Sequence, residues 1–198
     1  MRYVVLAIIM DVWCAIRTYP KHAAELGNST PQEPVFFLKS SSSVVPFGQI
    51  DCQNGDIHHE LELVVRIGED LKPDAMAVGL DLTKRTTQDY LKTGGLPWAA
   101  AKSFRGASVI GDWVDFSDNV AYDLQINGEI KQKATLNQMS WSISQLVGKL
   151  SEWAPLQVGD VLFTGTPAGV GPLNRGDTIQ VRLSQGNKVL SIHSADCI

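Results

Sequence analysis

Hydrophobic and polar positions in this chain fall mostly into short alternating or apolar runs. Residues 35–38, 60–67, 121–126, 160–164 and 178–183 are such runs, each bounded by Gly, Pro, Asn or Asp, and they predict strands. Asn127-Gly128 follows the third run and predicts a tight hairpin turn with positive φ, with residues 129–133 as the returning strand. Residues 3–10 form a further apolar run behind Arg2. It is too short to cross a bilayer and is interrupted at Asp11, so a buried first strand is expected rather than a secretory or membrane segment. Helical periodicity is scarcer. Residues 20–26 begin with Pro20 and stop at Gly27, and residues 83–92 stop at Gly94-Gly95. Residues 140–150 place Ile143, Leu146, Val147 and Leu150 on one stripe. Many short strands and few short helices predict an α+β, mainly β fold, organised as a single domain over residues 1–198.

Composition mainly excludes. Hydrophobic residues at 44% and charged residues at 19% describe an ordinary globular chain. A net charge of -4 and the lack of a Lys/Arg cluster argue against a nucleic-acid partner and for a small molecule or a second copy of the chain. Cys14, Cys52 and Cys197 are odd in number and far apart, with no CxxC pair. Neither a disulfide framework nor a thiolate zinc site is expected, and a reducing, cytoplasmic location is.

The stretch His58-His59-Glu60-Leu61-Glu62-Leu63 carries the most chemistry. On a strand, Glu60 and Glu62 project from one face and Leu61 and Leu63 from the other. Two adjacent carboxylates on a half-buried strand repel each other and are costly to desolvate unless a cation compensates, and a hard divalent ion is the natural one. The same alternation also fits a solvated strand face. An HExxH zinc site is excluded, because Leu63 stands where its second histidine belongs. Asp81 is a third carboxylate candidate, or a helix N-terminal residue ahead of 83–92. Arg85 and Gln88 lie on the same side of that helix. His22 and Glu25, three apart on a short helix, can meet. Such a pair suits a general base, and equally an ordinary surface contact.

Taken in order, His58-His59-Glu60-Leu61-Glu62-Leu63, Gly79-Leu80-Asp81-Leu82-Thr83, Gly95-Leu96-Pro97-Trp98, Ala101-Lys102-Ser103-Phe104, Asn127-Gly128-Glu129 and the run from Gly159 to Pro172 resemble the fumarylacetoacetate hydrolase superfamily. Within it the small acylpyruvase and oxaloacetate decarboxylase type is most similar. The resemblance implies a fold with a rolled mixed β-sheet and a homodimer. It further implies Mg²⁺ or Mn²⁺, with Ca²⁺ as a substitute, on Glu60, Glu62 and Asp81. Lys102 matches the active-site lysine, Arg85 and Gln88 match pocket residues, and Thr164, Gly165 and Thr166 match the loop that binds the substrate carboxylate.

Residues 1–30 resemble the segment that carries a His–Glu dyad on a lid, with Arg17, Tyr19, His22 and Glu25 matching and Ile16 and Thr18 replacing a glycine and an asparagine. The implied chemistry is metal-stabilised enolate formation from a small 2-oxo acid. Hydrolysis of a C–C bond in an acylpyruvate-type 1,3-diketo acid is the first expectation. Oxaloacetate-type decarboxylation and isomerase, hydratase or tautomerase reactions are alternatives on the same site. A domain that only binds metal or ligand is the alternative of another class, and the presence of all three carboxylates, the lysine and the histidine favours an enzyme.

Overall fold

Leu61–Ile67 runs through the middle of a mixed sheet, and its sequence Leu-Glu-Leu-Val-Val-Arg-Ile explains that place. Six of its seven residues are buried, so both faces of the strand are covered. Leu61, Leu63, Val65 and Ile67 turn towards the larger core. Val64 turns towards a smaller one, with Val12, Cys14, Ala77, Val161 and Phe163. Glu62 takes the Val64 side, since side chains two apart point the same way.

A computed structural model describes residues 10–25, 27, 29–52 and 55–198. The strand expected over residues 3–10 therefore lies outside the described residues except at Met10. The main sheet runs in the order Val35–Lys39, Val12–Ile16, Val161–Phe163, Leu61–Ile67, Pro73–Asp81, Ser108–Ile110, Val44–Val45, with Val114–Asp115 also paired to Pro73–Asp81. Two of its pairings are parallel and the rest antiparallel. The two edge strands are joined by residues 40–43 alone. The five steps from Lys39 to Val44 reach at most about 18 Å, whereas seven flat strands would separate their edges by about 29 Å. The sheet must roll, as the fold is mainly β with a curled mixed sheet.

A five-stranded sheet, ordered Glu129–Thr135, Ala121–Ile126, Thr178–Gln185, Lys188–Cys197, Gln49–Ile50, packs Tyr122, Leu124, Val181 and Leu183 into the larger core. Its hairpin turns at Asn127 and Gly128 with φ of 53° and 82°, as the sequence predicts. A small third sheet joins Gly171–Pro172, Ile57–His59 and Thr83–Lys84.

The described helices are short: Pro20–Glu25, Arg85–Thr93, Ala99–Lys102 and Ile143–Ser151. All four stripe residues of the last are buried. Of the boundaries that differ from expectation, three have a local physical reason. The last helix starts at Ile143 because Ser142 and Gln145 form a capping box. The second starts at Arg85 because Thr83–Lys84 pairs with Ile57–His59. The run 60–67 is broken at Glu60, where the chain passes from the small sheet into the main one.

Candidate active site

Three carboxylates converge because of strand register. Leu61–Ile67 and Pro73–Asp81 are antiparallel, with Glu62 opposite Gly79 and Leu61 opposite Leu80. One step further, Asp81 N–H donates to Glu60 O at 2.9 Å, which sets Asp81 across from Glu60. Residues directly opposite in a ladder share a face. Oxygens of Glu60, Glu62 and Asp81 consequently lie within 4.8 Å of one another. Their exposures are only 7%, 2% and 2%, which removes the solvated-face alternative. Asp81 closes a strand and does not serve as a helix N-terminal residue.

Cations enclose this cluster. Lys102, at the end of Ala99–Lys102, donates to Glu60 Oε2 at 2.9 Å and to Asp81 Oδ2 at 2.7 Å. Arg85, first in its helix, donates to Glu60 Oε1 at 2.7 Å and to Gln88 Oε1 at 2.6 Å. Thr83 Oγ1 adds a 2.9 Å bond to Glu60 Oε1. Lys39 Nζ donates to Asp81 Oδ1 at 2.5 Å and to Ala107 O at 2.5 Å.

Electrostatics separate the two glutamates. Burial alone would raise the Glu60 carboxyl, but Lys102 and Arg85 outweigh it and hold the group down at about 2. Glu62 has no ion pair among the described residues, only the Gly165 N–H at 2.6 Å. Burial, with Asp81 and Glu60 close by, pushes its carboxyl well above the usual range. Burial would lower Lys102, yet Asp81 and Glu60 raise it. With both carboxylates ionised and no metal between them, Lys102 is held protonated as a donor to the pair.

The loop after Val161–Phe163 closes one wall. Gly165 adopts φ +97°, and a Cβ there would sit 2.0 Å from Thr18 Oγ1, so the N–H that reaches Glu62 depends on glycine. Thr18 Oγ1 in turn donates to Thr164 O at 2.7 Å. The helix Pro20–Glu25 stands against this loop and forms a second wall. His22 is buried, and its Nδ1 lies 3.1 Å from Glu25 Oε2. Gly169 N–H donates to both Glu25 oxygens, at 3.1 and 3.2 Å, which pins the dyad to the loop. Between the walls lies a cavity of about 60 Å³ reached by Glu60, Glu62, Asp81, Lys102, His22 and Thr166. Arg17, Arg85, Gln88 and Lys92 also face it. Arg17 has φ 54°, an uncommon conformation for a non-glycine residue, where the strand Val12–Ile16 gives way to the helix.

Most of the residues read from the sequence are thus brought together: His22, Arg17, Glu60, Glu62, Asp81, Arg85, Gln88, Lys102 and Thr166 face one cavity. Glu25 stands behind His22. Thr164 is placed differently: fully buried, it spends its hydroxyl on Leu63 O at 2.9 Å. Gly165 serves a carboxylate of the protein through its N–H. Sequence reasoning missed Lys39 and Gln132, and it gave Thr18 only as the replacement of an asparagine. A lysine ending the apolar strand Val35–Lys39 was a signal for the first, whereas Gln132 carried none.

A family model for the fumarylacetoacetate (FAA) hydrolase C-terminal region matches residues 11–190. The chain belongs to the fumarylacetoacetate hydrolase family. It is 35% identical over 192 residues to oxaloacetate tautomerase YcgM of Escherichia coli (strain K12), covering 87% of this chain and 88% of that protein. It is 37% identical over 183 residues to a mitochondrial oxaloacetate decarboxylase of Dictyostelium discoideum, covering 83% and 84%. Among solved structures, fumarylpyruvate hydrolase from Pseudomonas aeruginosa in complex with Mn²⁺ and pyruvate superposes with a TM-score of 0.86 at 32% identity, covering 96% of this chain and 90% of that one.

The donor set here suits a hard dication. It is all oxygen and threefold carboxylate, and it contains one glutamate that lacks a cation partner among the described residues. Glu60, Glu62 and Asp81 are the residues that would hold it. With all groups ionised, their three negative charges are matched by Lys39, Lys102 and Arg85. An added dication leaves an excess of positive charge that an anionic ligand would neutralise.

Proposed function

We propose that this protein is a divalent-metal-dependent enzyme that interconverts the keto and enol forms of a small 2-oxo acid, with oxaloacetate as its first substrate. The observation that carries this reading is the convergence of Glu60, Glu62 and Asp81 in a cavity that His22 also lines. A bound Mg²⁺ or Mn²⁺, or Ca²⁺ as a substitute, supplies positive charge that offsets an enolate oxygen. Around it, Lys102 and Arg85 add fixed charge, and the Thr166 hydroxyl receives the substrate carboxylate. Arg17 and Lys92 face the same cavity and suit the second carboxylate of a dicarboxylic substrate. With Nδ1 engaged by Glu25, His22 has Nε2 free to take a proton from the carbon beside the keto group and to return it. Similarity to an oxaloacetate tautomerase and an oxaloacetate decarboxylase, at 35% and 37% identity, supports the choice of substrate.

Hydrolysis of an acylpyruvate-type C–C bond is the second reading, favoured by the same dyad, which would deprotonate water as readily as carbon, and by the similarity to a fumarylpyruvate hydrolase. A homodimer in a reducing, cytoplasmic compartment belongs to the same proposal. Cys14, Cys52 and Cys197 are all unpaired and buried, and no helix among the described residues is long and apolar enough to cross a membrane.

The test is a side-by-side assay of oxaloacetate tautomerisation, oxaloacetate decarboxylation and acetylpyruvate cleavage, with Mg²⁺, with Mn²⁺ and after chelation. Tautomerisation is expected to be fastest and to vanish on chelation. Faster acetylpyruvate cleavage would replace the first reading by the second, and a rate indifferent to chelation would remove both.

A further inference from the structure

Gln132 is a buried amide on the strand Glu129–Thr135 that ties the carboxylate strand to the loop carrying Thr166. Its Oε1 accepts from Leu61 N–H at 2.9 Å and lies 2.8 Å from His59 Nδ1. Its Nε2 donates to Pro167 O at 2.8 Å and to Thr166 Oγ1 at 2.7 Å. These contacts use the two lone pairs and both protons of the amide, so no capacity is left over for another arrangement.

Two of the four partners have fixed roles. A backbone N–H only donates, and a proline carbonyl only accepts. The orientation of the amide is therefore set by Leu61 and Pro167, and the two side chains have to comply. His59 must carry a proton on Nδ1. Thr166 Oγ1 must accept from Nε2, which leaves the hydroxyl's own proton to be donated elsewhere. Among the described residues the one other acceptor in reach, Pro167 O, is 3.5 Å away and already takes an Nε2 proton. Beyond it the Thr166 side chain faces the cavity.

We propose that Gln132 is a positioning residue that polarises Thr166, so that the hydroxyl is presented to the cavity as a hydrogen-bond donor and selects an anionic oxygen there. The identity of that oxygen, the carboxylate of a 2-oxo acid, rests on the function proposed above. Gln132 touches no reacting atom. It acts through Thr166, and the Leu61 N–H serves to fix which way its amide points.

Pyruvate is the probe, titrated calorimetrically into the Mn²⁺-loaded protein. Thr166→Val is expected to weaken pyruvate about tenfold or more, the usual loss for a hydrogen bond to a charged group, and Thr166→Ser to restore wild-type affinity. Gln132→Met, which removes the donor without adding charge, is expected to weaken pyruvate about fivefold. In the Thr166→Val background the same substitution should add nothing. An equal loss in both backgrounds overturns the role of Gln132 while leaving the Thr166 contact standing. Wild-type affinity in Thr166→Val overturns that contact and the proposal with it. No pyruvate binding to the Mn²⁺-loaded wild type refutes the underlying function itself. A second measurement needs no substitution in the network: ¹⁵N NMR of the wild-type protein should show His59 as the Nδ1–H tautomer, with its resonance assigned by His59→Gln. The Nε2–H tautomer would mean a reversed amide and would overturn the proposal.

Discussion

Lys39 and Asp81 meet inside the protein, Nζ to Oδ1 at 2.5 Å, although their strands stand first and fifth in the main sheet. Flat strands four places apart would be about 19 Å from each other, about three times what a lysine side chain spans. The contact exists because the sheet rolls, and it links the curvature of the fold to the carboxylate cluster. Lys39→Met leaves Asp81 with Lys102 but the carboxylate cluster one positive charge short, and should cost about 3 kcal/mol, the low end for breaking a buried ion pair. Saturating Mn²⁺ should recover part of that loss by compensating Asp81 instead. Denaturant titration with and without Mn²⁺ checks both, and a loss within 0.5 kcal/mol, roughly the range of an exposed surface change, would contradict the structural role.

Glu60 and Glu62 look equivalent in the sequence, but their substitutions should behave in opposite ways. Glu60 accepts from Lys102, Arg85 and Thr83. Glu60→Gln should therefore destabilise the metal-free protein by about 3 kcal/mol. Among the described residues Glu62 accepts only the Gly165 N–H, which a glutamine oxygen accepts equally well. Glu62→Gln should leave the metal-free protein at least as stable as wild type, while weakening Mn²⁺ by about a hundredfold. Thermal unfolding and Mn²⁺ titration on the same samples separate the two outcomes.

Metal uptake should release a proton. The Glu62 carboxyl is raised by burial and by Asp81 and Glu60. Below that raised pKa it is protonated, and a cation binds only the ionised form. Mn²⁺ affinity should consequently rise with pH and level off once Glu62 is ionised in the free protein. Calorimetry in two buffers of different ionisation enthalpy reads the proton count directly. A count of zero across the whole pH range in which the protein is folded would show that Glu62 is already ionised without the metal.

Much of this site was legible in the sequence, and the reason is local. The alternation of Glu60, Leu61, Glu62 and Leu63 fixes which side chains share a face whatever the sheet does, and the spacing of His22 and Glu25 fixes that they can meet. The hairpin at Asn127-Gly128 and the stripe Ile143, Leu146, Val147, Leu150 were legible for the same reason. Lys39, Thr18 and Gln132 were not, because their partners lie 42, 146 and up to 73 residues away and are chosen by sheet curvature and strand order. Thr164 and Thr166 illustrate the boundary. They are two apart on one loop and alike in chemistry, yet only the fold decides that one hydroxyl goes to Leu63 O and the other to the cavity.

Glu25→Gln should reverse the proton on His22 without disturbing the walls of the cavity. Glu25 receives the Gly169 N–H and faces His22 Nδ1. A glutamine would keep its oxygen on Gly169 and present its amide N–H to Nδ1, forcing the imidazole proton onto Nε2, the nitrogen that has to accept one. The step that uses His22 as a base should slow by about 10²–10⁴, and pyruvate and Mn²⁺ should bind as before. Loss of CO₂ from oxaloacetate needs no such base, so decarboxylation should be largely spared while tautomerisation and acetylpyruvate cleavage fall together. His22→Ala should reproduce the pattern. Equal losses in all three reactions would mean that the dyad shapes the cavity and does not move the proton.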